Sequence, residues 1–430
     1  MRITELDALY AFLVATGVAA VLTPVTMRLA TRVGAVDQPR ERGLSSRATP
    51  RLGGLAIFAG AVVAGLVILP STPRWNGVFA AAALITLGGA IVDRFDLPPI
   101  LKLAGQVAAA VIAVNAGVVV HNLTLPFVGA LHFPNTGPTL TVIGLVGLMN
   151  IVNFSDGVDG LAAGVCTIIA AALAVIAFDL GRTEAGVLAA LTAGAALGFL
   201  IHNFPPASSF MGDCGSNLLG LLMGVVTVEG AVKTQVVVSF AVPLILLAVP
   251  FLDTTFVVLK RLKYRQPFYK PDSEHFHHRM ARIGFSPRRT VFYLYSWTLL
   301  LAGLALALRF VPYSDHHGHL HTGWSLVMVG LGLLAAAASV YLVYVLEILK
   351  FKRLATMRLR RLAPEASDAE IDATVAREFE TGEFDVVAPA DLASSEPDPP
   401  GPGDRQAPAE SGVGHRDSRP AKAKAQPRRG

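Results

Sequence analysis

Asn150-Ile151-Val152-Asn153-Phe154-Ser155-Asp156-Gly157-Val158-Asp159-Gly160-Leu161-Ala162-Ala163-Gly164 joins two long apolar segments. Apolar segments of membrane length carry few polar side chains, and this junction concentrates four of them. Asn150 and Asn153 are three apart and share one face of a helix end. Asp156 and Asp159 follow at the same spacing, and each is trailed by a glycine that ends a helix and lets backbone approach a ligand. Two carboxylates and two amides at a bilayer rim suit a divalent cation and a phosphorylated ligand. The competing reading is an Asp-Gly turn between helices.

Outward from this junction the chain stays apolar. Hydrophobic residues make up 53% and charged residues 16%, against about a quarter charged in soluble domains. Mean hydropathy is +0.54. We read an all-α polytopic membrane protein of about eleven spans. They run approximately over 8–30, 53–70, 77–92, 100–120, 138–152, 159–180, 185–202, 214–230, 235–259, 289–311 and 323–349. The first is read as a membrane helix and not a cleaved leader, because no small-residue cleavage site follows it. Cys166 and Cys214 have no metal-ligand spacing and give no disulfide framework. The sequence pI of 9.3 reflects clustered loop charges and needs no nucleic-acid partner.

Those clusters set the orientation. Arg32, Arg40, Arg42, Arg47 and Arg51 follow the first span, and Lys260 to Arg289 carries nine Lys and Arg. Segments 121–137 and 312–322 have none. The positive-inside rule then puts the N-terminus outside and the C-terminus in the cytoplasm. Polar loops 31–52, 93–99, 153–158, 203–213 and 260–288 all fall on the cytoplasmic face, as one site assembled from five loops would require.

Each loop contributes distinct chemistry. Thr49-Pro50-Arg51-Leu52-Gly53-Gly54 opens a helix with free N–H groups beside a guanidinium, an arrangement for phosphate or, equally, a positive-inside anchor. Asp93-Arg94-Phe95-Asp96 is a second acidic element. Asp213, between Gly212 and Gly215, either caps the next helix or binds a cation; the two glycines and Ser216 around it favour the cation. Asp272-Ser273-Glu274-His275-Phe276-His277-His278-Arg279 suits zinc by histidine count, and anion recognition by His and Arg. His316 to His321 forms an outer His-rich loop to which we assign no function. Residues 1–350 are the transmembrane domain. Residues 351–384 hold a basic juxtamembrane stretch suited to anionic lipid and a short acidic segment, and 385–430 read as a disordered cytoplasmic tail.

Together these motifs resemble the polyprenyl-phosphate N-acetylhexosamine-1-phosphate transferases, integral membrane enzymes that begin lipid-linked cell-envelope glycans. Asn150 to Gly164 matches the family's Asn-x-x-Asn-x-x-Asp-Gly-x-Asp-Gly-Leu-Ala, and Phe210 to Gly220 its Met-Gly-Asp-x-Gly-Ser. Asp272 to Arg279 matches Asp-x-x-His-x-His-His-Arg, the form of the branch that uses UDP-N-acetylglucosamine. The resemblance covers roughly residues 9–350. It implies transfer of a sugar 1-phosphate from a UDP-sugar to polyprenyl phosphate at a bacterial plasma membrane, with release of UMP. It implies Mg2+, or Mn2+ in its place, at Asp213 with Asn153. Asp93, Asp156 and Asp159 become catalytic, and Arg51, Asn150, His275, His277, His278 and Arg279 bind substrate. A homodimer is compatible with it.

Three positions depart from the family pattern. Val92 stands where an acid precedes Asp93, and Gly43 and Ser45 stand where a Lys-x-His is usual. They keep open a catalytically weak homologue that binds lipid-linked intermediates. A lipid I-forming phospho-MurNAc-pentapeptide transferase is a further alternative, and a transporter ranks last because the polar groups lie at one membrane face.

Overall fold

The computed structural model describes residues 3–37, 48–95, 97–125, 129–232, 287–312, 321–347, 367, 370 and 371. Two compact units divide the chain, Met1–Lys350 and Phe351–Gly430. In the first, the helices are α1 (Glu5–Val33), α2 (Gly53–Ile68), α3 (Pro73–Phe95), α4 (Pro99–Asn115), α5 (Gly137–Ser155), α6 (Leu161–Asp179), α7 (Thr183–Asn203) and α8 (Gly212–Val226). A π-helical turn, Thr227–Val232, prolongs α8; α9 (Pro287–Phe310) and α10 (Thr322–Glu347) follow. In the second unit, Ser367 Oγ and N–H both donate to Glu370 Oε2, at 2.8 and 3.0 Å, a capping box in the acidic segment.

Among the described residues, seven helices, α1, α3, α5, α6, α7, α9 and α10, are long and apolar enough to cross a membrane. The expected spans over 53–70 and 100–120 are helices of 16 and 17 residues, short of the roughly 20 that a straight crossing takes; the expected 214–230 is the 15-residue α8 with its π-helical extension to Val232. The expected span 235–259 lies outside the described residues. The described residues are mostly helical, as the all-α reading expects. Two antiparallel two-stranded hairpins are present, β1 (Val36–Asp37) with β2 (Thr49–Pro50), and β3 (Asn122–Leu125) with β4 (Gly129–His132). The second forms because Asn-Leu-Thr-Leu alternates at period two and its partner strand follows within a short turn.

The bundle is built inside out from small side chains. α7 is rich in Ala and Gly, most of it is buried, and it packs against α1, α2, α6 and α8. Small residues let backbones approach, which is how helices associate where surrounding lipid removes the hydrophobic drive. The peripheral helices turn Leu and Val outward, as at Leu13 and Val21 of α1 and Leu326 and Leu333 of α10. At one end of the bundle Trp75 donates to Glu184 at 2.8 Å, Arg74 pairs with Glu229 at 3.3 Å, and Arg309 pairs with Asp179. At the other end, the loops that lead into α2, α6 and α8 converge.

Candidate active site

α8 is the axis of that second end. Its first turn is entered through Gly212, whose φ of +70° is open to glycine. A Cβ there would meet Asp93 Oδ2 at 2.5 Å. Asp93, on α3, accepts from the backbone N–H of Asp213 at 2.8 Å and of Cys214 at 3.0 Å. It does from a neighbouring helix what an N-cap side chain does from its own, satisfying two N–H groups that have no intrahelical partner. Gly54 lets α2 reach the same turn: a Cβ on it would lie 2.1 Å from the backbone nitrogen of Gly215.

Two polar layers then stack between α4, α5 and α8. In the deeper one, Gln106 donates to Asn217 Oδ1 at 2.7 Å and Asn150 donates to Gln106 Oε1 at 2.8 Å. Nearer the loop end, Lys102 Nζ donates to Asn153 Oδ1 at 2.6 Å and to Asp213 Oδ1 at 2.7 Å. Asn153 Nδ2 donates to the same Asp213 oxygen at 2.7 Å and to Ser216 Oγ at 2.8 Å. Spacing explains the stack: Lys102 and Gln106, and Asp213 and Asn217, are four apart, and Asn150 and Asn153 three apart.

The Asp-Gly loop closes over this end. Gly160 N–H donates to Asn203 Oδ1 at 2.9 Å, and Asn203 Nδ2 donates to Ser209 O at 2.9 Å. Asp159 Oδ2 accepts from Ala207 N–H at 2.9 Å. From α9, Tyr295 donates to Gly160 O at 2.5 Å and Arg288 to Pro205 O at 2.9 Å. Asp156 differs: among the described residues its carboxylate accepts no hydrogen bond. Burial, then the negative charges of Asp93, Asp213 and Asp159, hold it well above the ordinary carboxylate range, with Lys102 opposing. Burial also raises Asp159, and its bond from Ala207 opposes the rise.

Four of the five loops expected to share a face therefore meet. The residues within them divide by partner. Asn153 donates to Asp213, and Asp156 feels the negative charge of Asp213. Asn150 sits a layer deeper, bonded to Gln106 and to Val146 O. The first loop is engaged within the protein. Gly53 and Gly54 N–H groups donate to Phe210 O and Met211 O at 3.1 and 3.0 Å, and Arg51 pairs with Asp37 at 2.7 Å. His275, His277, His278 and Arg279 lie outside the described residues, as do Gly43 and Ser45. Lys102 and Gln106 were hidden inside an apolar span; a Lys and a Gln four apart in such a helix is the signal that marks them.

Among the described residues no three His, Cys, Asp or Glu form a cage for a metal ion. The donors present are oxygens, from Asp213, Asn153 and the open Asp156 carboxylate, and an ammonium already bridges the first two. That set fits a hard cation such as Mg2+, which takes one or two carboxylates and fills its remaining positions with water and substrate phosphate.

An apolar helix bundle with carboxylates gathered at one end is that of a multi-pass membrane protein. The chain belongs to glycosyl transferase family 4, whose model matches residues 75–231. It is 35% identical over 307 residues to the probable undecaprenyl-phosphate N-acetylglucosaminyl 1-phosphate transferase of Bacillus subtilis, covering 70% of this chain and 84% of the relative. It is 37% identical over 321 residues to the decaprenyl-phosphate N-acetylglucosaminephosphotransferase of Mycobacterium tuberculosis, covering 67% and 79%. The phospho-N-acetylmuramoyl-pentapeptide-transferase of Moorella thermoacetica is 30% identical over 331 residues, covering 70% and 99%.

Proposed function

We propose that the protein transfers N-acetylglucosamine 1-phosphate from its UDP derivative to a polyprenyl phosphate and releases UMP, at the cytoplasmic face of a bacterial plasma membrane. The N-terminus lies outside and the C-terminus inside. The observation that carries this reading is the convergence of Asp93, Asp156, Asp159 and Asp213 around the first turn of α8, beside Asn153 and Lys102. The two relatives named above as N-acetylglucosamine phosphate transferases support the substrate class.

In the reaction, an oxygen of the polyprenyl phosphate forms a bond to the β-phosphorus of the UDP-sugar. The bond from that phosphorus to the bridging oxygen breaks, and UMP carries the electron pair away. The acceptor's second pKa is near 6, so it is largely dianionic at about pH 7 and can attack without a general base. Asp213 and Asn153 would hold Mg2+, with Asp156 opposite; the ion would neutralise the diphosphate and stabilise UMP as leaving group. Asp93 and Asp159 position backbone in this scheme. With Val92 beside Asp93, the carboxylate left open for chemistry is Asp156. His275, His277, His278 and Arg279 would contact diphosphate or sugar.

The test is one assay. Membranes carrying the protein receive radiolabelled UDP-N-acetylglucosamine, decaprenyl phosphate and Mg2+. Lipid-extractable label, abolished by EDTA, is the expected result. Its absence at any Mg2+ concentration leaves the lipid-binding homologue in its place.

The two loop aspartates should separate in the same assay. Asp159→Asn retains an oxygen that accepts from Ala207 N–H, so it should lose no more than about tenfold, the difference between a charged and a neutral acceptor. Asp156→Asn removes the carboxyl group that no protein donor engages and should cost more than about a hundredfold. Equal losses would contradict the division of roles drawn from their partners.

A further inference from the structure

Lys102 supplies a cation where one is needed. Its ammonium lies within hydrogen-bond distance of one oxygen of Asp213 and of the carbonyl oxygen of Asn153. Its side chain and that of Asp213 are 21% and 22% exposed. A carboxylate held this far from water is retained only with a positive partner. Lys102 is fixed for the task. Pro98 and Pro99 start α4 just before it, and one turn further Gln106 pins the helix to Asn150 and Asn217.

We propose that Lys102 is a built-in counter-ion that a divalent cation replaces. In the metal-free protein it holds Asp213 and Asn153 in position, and the metal enters by exchange, moving the ammonium off both oxygens. The chemistry forces a choice between the two. Mg2+ requires oxygens at about 2.0–2.1 Å, and Asp213 Oδ1 already receives Lys102 and Asn153 Nδ2. An ammonium donates and cannot ligate, and it repels a divalent ion at contact distance. The exchange keeps the buried carboxylate paired throughout, so the pocket never holds Asp213 alone. Competition with the lysine then sets the metal affinity. The inference rests on the cation site assigned to Asp213 and Asn153 in the proposed function.

The experiment uses the purified full-length protein in detergent without substrates. Mn2+ binding is read from loss of the free-ion electron paramagnetic resonance signal. Lys102→Met keeps the apolar stem and removes the competing charge, so Mn2+ should bind on the order of tenfold tighter than in the parent. Lys102→Arg should bind no tighter than the parent. A second readout needs no variant at position 102. Acetylation of Lys102 by a soluble reagent, followed by mass spectrometry, should rise severalfold when Mn2+ is added to the parent protein, and should not rise in Asp213→Asn. Equal or weaker Mn2+ binding in Lys102→Met overturns the exchange alone, as does Lys102 labelling unchanged by Mn2+. Failure of the parent and Lys102→Met to bind Mn2+ at all overturns the cation site itself, and the exchange with it.

Discussion

Asp213→Asn should reduce lipid-linked product by more than about a hundredfold, beyond the range for residues that merely support a metal ligand. The fold should survive the change. The asparagine Oδ1 can still accept from Lys102 and Asn153, which now bond the aspartate oxygen at 2.7 Å each. Its N–H remains available to Asp93. What disappears is the negative charge that a hard cation prefers. Raising Mg2+ should recover little of the loss, and the detergent-solubilised protein should melt within a few degrees of the parent. A variant that works at the parental rate would remove Asp213 from the metal site. A variant that fails to fold would make the charge a structural requirement.

Gly54→Ala should do the reverse, leaving every charged side chain in place and disabling the protein through its packing. The added methyl would lie 2.1 Å from the backbone nitrogen and 2.4 Å from the α-carbon of Gly215. Main chain cannot rotate away as a side chain tip can, so α2 must back off from α8. Overpacking of this kind costs about 1–3 kcal/mol or more, a large part of a total stability of about 5–15 kcal/mol. The midpoint of thermal unfolding should fall by several degrees, and activity should fall with it because Gly53 and Gly54 also hold Phe210 and Met211. An unchanged midpoint would mean that the two helices tolerate a wider separation than the structure gives them.

Hydropathy made the helices legible to within a few residues. The expected 138–152 became Gly137–Ser155 and the expected 185–202 became Thr183–Asn203. Membrane helices must satisfy their backbone internally, so an apolar run of this length has few alternatives. The meeting of loops at one end was legible for a related reason, since charge sets the side on which each loop lies. Individual partners were less so. Asp93 bonds main-chain N–H groups 120 and 121 positions away, and backbone carries no residue-specific mark to read. Asp159 is engaged in the same way by Ala207. Asn150 and Asn153 do share a face, yet one turn of depth separates a neutral amide layer from the charged one. Lys102 carries a sequence signal in its spacing to Gln106, yet its partner shows only in the 2.7 Å bond to Asp213.

Asp93 and Lys102 stand on consecutive helices joined by a short connector, between Phe95 and Pro99. One grips the first turn of α8 by its main chain and the other by its carboxylate. In a lineage, positions 93, 102 and 213 are therefore not three independent letters. A substitution at one shifts the helix on which the others depend, so paired changes should depart from the sum of single ones. Drift at 102 would alter which residues 93 can accept, and recombination with a distant relative should cost function unless all three residues crossed together.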